Sequence, residues 1–238
     1  MSSGFGTMTV TAKEQFEDVR LGYDLAAPIY DAWGWQQVWR QKEYPRVVKA
    51  IDACFSSPRI LDLGCGTGAF AVASKRLYGT YTGIDGSQEM IRKAGEKNLP
   101  NATFFEGSIL DWPCPTAAFD VVVCLRVVNH IADVTALASK ARQALVHGGL
   151  FLISAVAHEH RFDTTTLPTA FGRCPVPTYK HDAAMILGAL GSHRSRFRFL
   201  WTADLKASKG DDLLPAACSS IDRTGTLPFG RIFAAVAI

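Results

Sequence analysis

The residues best placed to do chemistry lie between positions 60 and 90. In Ile60-Leu61-Asp62-Leu63-Gly64-Cys65-Gly66-Thr67-Gly68, three glycines alternate behind an apolar run that carries one carboxylate. Such glycines let a backbone turn tightly and approach a ligand that side chains would keep away. The G-x-G-x-G spacing differs from the G-x-G-x-x-G of dinucleotide folds, and no G-K-[ST] follows to make a P-loop. Asp85 ends a second apolar run, 17 residues beyond Gly68. An acidic residue there can accept hydrogen bonds from ribose hydroxyls; alternatively it caps a helix opening at Ser87. Glycine loop and Asp85 together point to a ligand of nucleoside type.

A second set of residues suits proton transfer. His130 follows a strongly apolar run, and His158-Glu159-His160 would point both histidines one way if extended, so that His158 could act as a base near neutral pH. A metal site needs a third ligand that this spacing does not supply, and none is expected. Arg194, Arg196 and Arg198 alternate and would share one face of a strand, as a solvated edge or as an anion-binding stripe.

Positioning these groups requires a regular frame. Arg59–Leu63, Thr80–Ile84, Ala102–Phe105, Phe119–Leu125 and Leu150–Val156 read as strands, separated by helical stretches at 69–78, 87–97 and 133–146. This alternation predicts βαβ units and a parallel sheet, and its continuous apolar strands predict helices on both faces. The fold class is α/β, a doubly wound, Rossmann-like, seven-stranded and mostly parallel sheet. Further on, a helix is expected over 180–190 with His181 as its cap, a strand over 193–201 and a last strand over 231–238. The stretches 157–179 and 202–230 read as irregular. Residues 1–54 are expected to form a tail and a helical lid, and 55–238 a single domain.

Composition excludes much else. The chain has 238 residues, 48% hydrophobic and 20% charged, enough apolar material for a sizeable core. A net charge of +3 calls for no polyanionic partner, so nucleic acid is an unfavoured ligand. No apolar run approaches the ~18 residues of a membrane span, and Met1–Val10 lacks a leader pattern. The six cysteines, at 54, 65, 114, 124, 174 and 218, form no C-x-x-C pair and read as reduced, packed thiols. A cytoplasmic location is expected; oligomeric state is left open.

Together the loop, Asp85 and the later strand ends resemble class I S-adenosylmethionine-dependent methyltransferases of the small-molecule branch, over about 60–156. The resemblance implies S-adenosylmethionine as cofactor. It places Asp62 at the methionine amino group; Gly64, Cys65, Gly66 and Gly68 under methionine and ribose; Asp85 at the ribose, with Gly86 and Met90 also among the cofactor-binding residues; and Gly107, Ser108 and Ile109 around adenine. Ser108 stands where the family often has Asp. Leu125 and Arg126, after the fourth strand, should lie beside the cofactor, and His130 matches a position that is commonly His. In Leu145-Val146-His147-Gly148-Gly149, His147 replaces the family's usual Pro. Ahead of the core, Tyr23-Asp24-Leu25-Ala26-Ala27-Pro28-Ile29-Tyr30-Asp31 resembles a Y-x-x-x-A-x-x-Y-D element, so Tyr23 and Tyr30 should close over the cofactor or the methyl acceptor. Catalytic roles are expected for His130, Tyr30, Tyr23 and His158. The implied reaction is methyl transfer to N, O or C of a small molecule, possibly a secondary metabolite. The alternatives are an RNA or protein acceptor, or cofactor binding without methylation.

Overall fold

The computed structural model describes residues 12–157, 164–207 and 228–238. In chain order, α1 (Ala12–Ala26), a short 3-10 turn (Tyr30–Ala32), α2 (Gly34–Lys42) and α3 (Tyr44–Asp52) precede β1 (Arg59–Leu63). There follow α4 (Ala69–Ala73), β2 (Thr80–Asp85), α5 (Gln88–Glu96), β3 (Ala102–Glu106), β4 (Phe119–Leu125), α6 (Val134–Ala144) and β5 (Leu145–Val156). The chain continues through β6 (Thr164–Thr169), β7 (Gly172–Pro177), α7 (Ala183–Leu190), β8 (Phe197–Leu205) and β9 (Gly230–Ala237).

Seven strands form one sheet in the order β3-β2-β1-β4-β5-β9-β8, with β9 antiparallel to both its neighbours. The winding reverses between β1 and β4, and the crevice beyond the carboxyl ends of strands at such a reversal is where open α/β sheets bind ligands. Both faces are covered. In β4, Val121, Val123 and Leu125 pack in one apolar cluster with Trp39, Tyr44 and Val47 from α2 and α3. Val122 and Cys124, of opposite parity, pack in the other with Leu137 and Ala141 from α6. That two-sided burial makes the run FDVVVCL continuously apolar. The amino-terminal region is therefore divided: α2 and α3 belong to a sheet-face layer, whereas α1 and the 3-10 turn lie over the strand ends.

Several elements differ from the sequence reading. The helix expected over 69–78 ends at Ala73, where the Ser74 hydroxyl donates to the Phe70 carbonyl at 2.8 Å and competes with the helical ladder. The helix expected to reach 146 stops at Ala144, because Leu145 already pairs with Phe119 as β5 begins. His181 is not a cap: Asp182 caps α7 through Met185 N, and buried His181 donates from Nε2 to the Ile131 carbonyl at 2.8 Å. The strand expected over 193–201 lies instead at Phe197–Leu205, after a turn in which Arg196 has φ +52°. Its arginines therefore form no continuous strand-face stripe. Finally, 157–179 contains the hairpin β6–β7, which Pro168, Pro175 and Pro177 disguise, since proline weakens a strand signal. Gly22 lets this hairpin lie on α1: a Cβ there would sit 2.3 Å from Val176 Cγ1.

Candidate active site

The glycine loop leaves β1 with Gly64, Gly66 and Gly68 all in the left-handed region, at φ +85°, +52° and +74°. Gly64 is constrained twice, because a Cβ would also meet Val127 Cγ2 at 2.2 Å. Above Gly66 a Cβ would meet nothing within 4 Å, so the middle of the loop faces open space. Asp85 braces the loop from β2: its oxygens accept from Gly66 N at 2.8 Å and Ser87 N at 2.9 Å. The cap of α5 is Ser87 itself, through Met90 N. Each oxygen of Asp85 keeps a further lone pair.

Asp62 is 2% exposed and accepts a hydrogen bond from the Tyr81 hydroxyl. Burial raises both acids: Asp62 is pushed up to about 7 against the pull of Tyr81, and Asp85 to about 6 against its two backbone donors. Among the described residues the donors to these two carboxylates are the neutral Tyr81 hydroxyl and the Gly66 and Ser87 amides, flanking a cradle that a cation would suit. Cys65 is buried, its thiol pushed well up by desolvation. Gly107 donates to the Asp85 carbonyl at 2.9 Å, and Gly107, Ser108 and Ile109 are half-buried along the rim. Gly86 lies under the Phe16 ring of α1, 3.1 Å from where its Cβ would be. Met90 is fully buried, packed with Ala26, Ala27, Leu167 and Val176.

The cover is latched to this cradle by groups that the sequence reading did not assign. Asp31 accepts from Thr67 Oγ1 at 2.6 Å and Lys97 Nζ at 2.8 Å, tying the 3-10 turn to the glycine loop. Asp24 accepts from Ser87 Oγ at 2.6 Å and Glu89 N at 3.2 Å, tying α1 to the start of α5. Both aspartates stand in the quoted tyrosine element, which was the available signal.

Under the cover, Tyr23 and Tyr30 meet edge to face, 5.9 Å between centroids, and the Tyr23 hydroxyl lies 3.0 Å from His130 Nε2. His130 Nδ1 lies 3.1 Å from the Pro177 carbonyl of β7. A carbonyl only accepts, so Nδ1 carries the proton and Nε2 is the free base that receives the Tyr23 hydroxyl. Burial lowers His130 to about 4 and raises both tyrosines; the imidazole is neutral at pH 7. Asn129 steadies this turn by accepting from Val156 N at 3.0 Å. Three expected catalytic residues, Tyr23, Tyr30 and His130, are thus brought together, while His158 lies outside the described residues.

Leu125 is buried in the core. Arg126 has φ +66°, the kind of backbone outlier that collects at functional sites, and its N donates to Ser154 O and Oγ. Its guanidinium is held by α2 and α3: paired with fully buried Glu43, bonded to the Tyr44 hydroxyl at 3.2 Å and 4.8 Å over the Trp39 ring. Among the described residues no group of three or more potential ligands could hold a metal, and no helix is long and apolar enough to cross a membrane.

Residues 60–149 match the family model described as a methyltransferase domain. A ubiquinone biosynthesis O-methyltransferase of Bradyrhizobium sp. (strain ORS 278) is 30% identical over 118 residues, 48% of this chain and 46% of that protein. A trans-aconitate 2-methyltransferase of Deinococcus radiodurans is 30% identical over 149 residues, 55% of this chain and 57% of that protein. The chain spans about half the length of the curated relatives it matches. Among solved structures, an S-adenosylmethionine-dependent methyltransferase from Mesorhizobium loti superposes with TM-score 0.63 at 20% identity, covering 80% of this chain and 96% of that one. The [4+2]-cyclase SpnF superposes with TM-score 0.67 at 19% identity, covering 96% and 97%. The chain therefore shares the fold of these structures, a fold that serves both a methyltransferase and a cyclase.

Proposed function

We propose that the chain is an S-adenosylmethionine-dependent methyltransferase acting on a small molecule. The observation that carries this reading is the pair Asp62 and Asp85, both raised by burial, flanking a left-handed glycine loop that is open above Gly66. When bound, S-adenosylmethionine supplies a methyl group made electrophilic by its sulfonium. Asp62 is set to take the methionine amino group and Asp85 the ribose hydroxyls, while Gly107, Ser108 and Ile109 border the adenine end. The latched cover then excludes water and aligns the acceptor, and such positioning supplies about 7–11 kcal/mol of a barrier. A hydroxyl acceptor gives its proton to the Tyr23 oxygen as Tyr23 passes its own to His130 Nε2.

The net charge of +3 favours a small acceptor over RNA. The ubiquinone and trans-aconitate enzymes named above are consistent with that class. Because fold alone does not set the reaction, the test is chemical. Incubated with methyl-labelled S-adenosylmethionine and a fractionated cell extract, the chain is expected to label the small-molecule fraction. Label confined to RNA or protein, or found nowhere, contradicts the proposal.

A further inference from the structure

The turn that carries His130 is gripped by the segment leaving the β6–β7 hairpin, at residues 177, 179 and 181. The Pro177 carbonyl lies 3.1 Å from His130 Nδ1, Tyr179 N donates to the Asn129 carbonyl at 2.6 Å, and His181 Nε2 donates to the Ile131 carbonyl at 2.8 Å. Asn129 adds a side chain to this grip and joins three segments through it. It is buried; its Oδ1 accepts from Val156 N at the end of β5 at 3.0 Å, and its Nδ2 donates to the Tyr179 carbonyl at 3.3 Å. The partners decide which way the amide faces, because Val156 N only donates and a carbonyl only accepts. Packing alone does not select this residue: a carboxamide offers a donor and an acceptor on one planar group, which neither aspartate nor leucine does.

We infer that Asn129 is a positioning residue for proton transfer: by clamping the hairpin exit to the end of β5, it holds the Pro177 carbonyl against His130 Nδ1 and keeps Nε2 free to receive the Tyr23 proton. The inference rests on the methyltransferase reading, in which His130 takes that proton. Which nitrogen of a neutral histidine carries the proton is set by the bond the other nitrogen makes. Here that bond comes from another element, two residues before Tyr179, so it lasts only while hairpin exit and turn stay in register. Asn129 immediately precedes His130 and bonds both the N–H and the carbonyl of Tyr179, which fixes the register next to the bond that sets the tautomer. His181 holds the far end of the same segment, so the hairpin keeps one anchor when Asn129 is altered. A free neutral imidazole favours the proton on Nε2. Released from Pro177, His130 would present a proton instead of a lone pair to Tyr23, and the contact would lose its capacity as a base.

The test reads His130 directly, by nitrogen NMR of the histidine rings of the full chain at pH 7.5, with the His130 signals assigned by their loss in His130→Ala. The wild type, Asn129→Ala, the milder Asn129→Ser and a stability control, Asp182→Ala, are compared. The wild type is expected to carry the His130 proton on Nδ1. Both Asn129 variants are expected to move it toward Nε2 and to slow methyl transfer to the small-molecule fraction about tenfold or more, toward the roughly 10²- to 10⁴-fold that a positioned base contributes. Their S-adenosylmethionine affinity should stay unchanged. Asp182→Ala removes only the cap of α7 and is expected to lower Tm with the tautomer unmoved. A wild-type proton on Nε2, a wild-type tautomer or unchanged turnover in the Asn129 variants, failure of both variants to fold, or an equal tautomer shift in Asp182→Ala each overturns the inference. If the wild type transfers no methyl at all, the methyltransferase proposal itself has failed, while the tautomer comparison still decides whether Asn129 sets the geometry.

Discussion

Replacing Arg126 with alanine should lower folding stability by about 3–5 kcal/mol, because it strands a buried carboxylate. Glu43 is fully buried, desolvation already raises its acid, and Arg126 is the first of the charges opposing that rise. Without the guanidinium, folding must bury an unpaired charge or take up a proton. The Trp39 and Tyr44 rings also lose a cation packed 4.8 and 5.4 Å from their centroids, a further ~0.5–2 kcal/mol. The sign of the pH effect follows. An acid raised in the folded state binds more protons folded than unfolded, so the deficit of the variant grows as pH rises through and above the ordinary carboxylate range. The double variant Glu43→Gln/Arg126→Met should recover most of the loss, since removing both partners avoids the uncompensated charge. Urea unfolding at pH 5 and pH 8 measures all three chains. A loss below about 1 kcal/mol for the single variant, against the range expected of a broken buried pair, would show that the pair does not hold α2 and α3 to the strand end.

The second large effect is kinetic. His130→Ala should lower turnover about 10²- to 10⁴-fold, the usual contribution of a positioned base, while S-adenosylmethionine affinity changes little. The His130 ring bonds to Tyr23 and the Pro177 carbonyl. Tyr23→Phe should show the same pattern in smaller measure, because it removes the hydroxyl link and leaves the base. As burial places His130 at about 4, the pH–rate profile should show no limb near 6.5, the value of an unperturbed imidazole. Equal losses of turnover and cofactor affinity would make His130 part of the binding site instead. An ordinary histidine limb near neutrality would contradict the buried tautomer.

Much of the frame was legible because a central parallel strand is covered on both faces. Runs such as FDVVVCL announce that condition through local composition, and the glycine loop and Asp85 stand at the strand ends where chain winding puts ligands. What escaped was either disguised or distant. Pro168, Pro175 and Pro177 hid the hairpin whose Pro177 carbonyl fixes the His130 tautomer. Glu43 and Arg126 are 83 residues apart, and nothing local in either predicts the pairing. Asp24 and Asp31 were visible beside their tyrosines, but only the folded chain shows Thr67, Lys97 and Ser87 arriving to make latches of them. The arginines at 194, 196 and 198 mislead in the opposite sense: perfect alternation in sequence, broken by a left-handed turn at Arg196.

The central claim is most directly tested by calorimetric titration of S-adenosylmethionine into the chain and into Asp85→Ala, at pH 7.5 and pH 5.5. Burial pushes Asp62 up to about 7 and Asp85 up to about 6. In the proposed roles both are ionised when they hold an ammonium and two hydroxyls, so affinity is expected to fall as pH drops through those values, with proton release on binding at pH 5.5. The account predicts saturable one-site binding at pH 7.5, weaker at pH 5.5, and weakened by about 1.5–3 kcal/mol in Asp85→Ala, the usual worth of hydrogen bonds to a charged group. No saturable binding by the folded wild-type chain at pH 7.5 would contradict it.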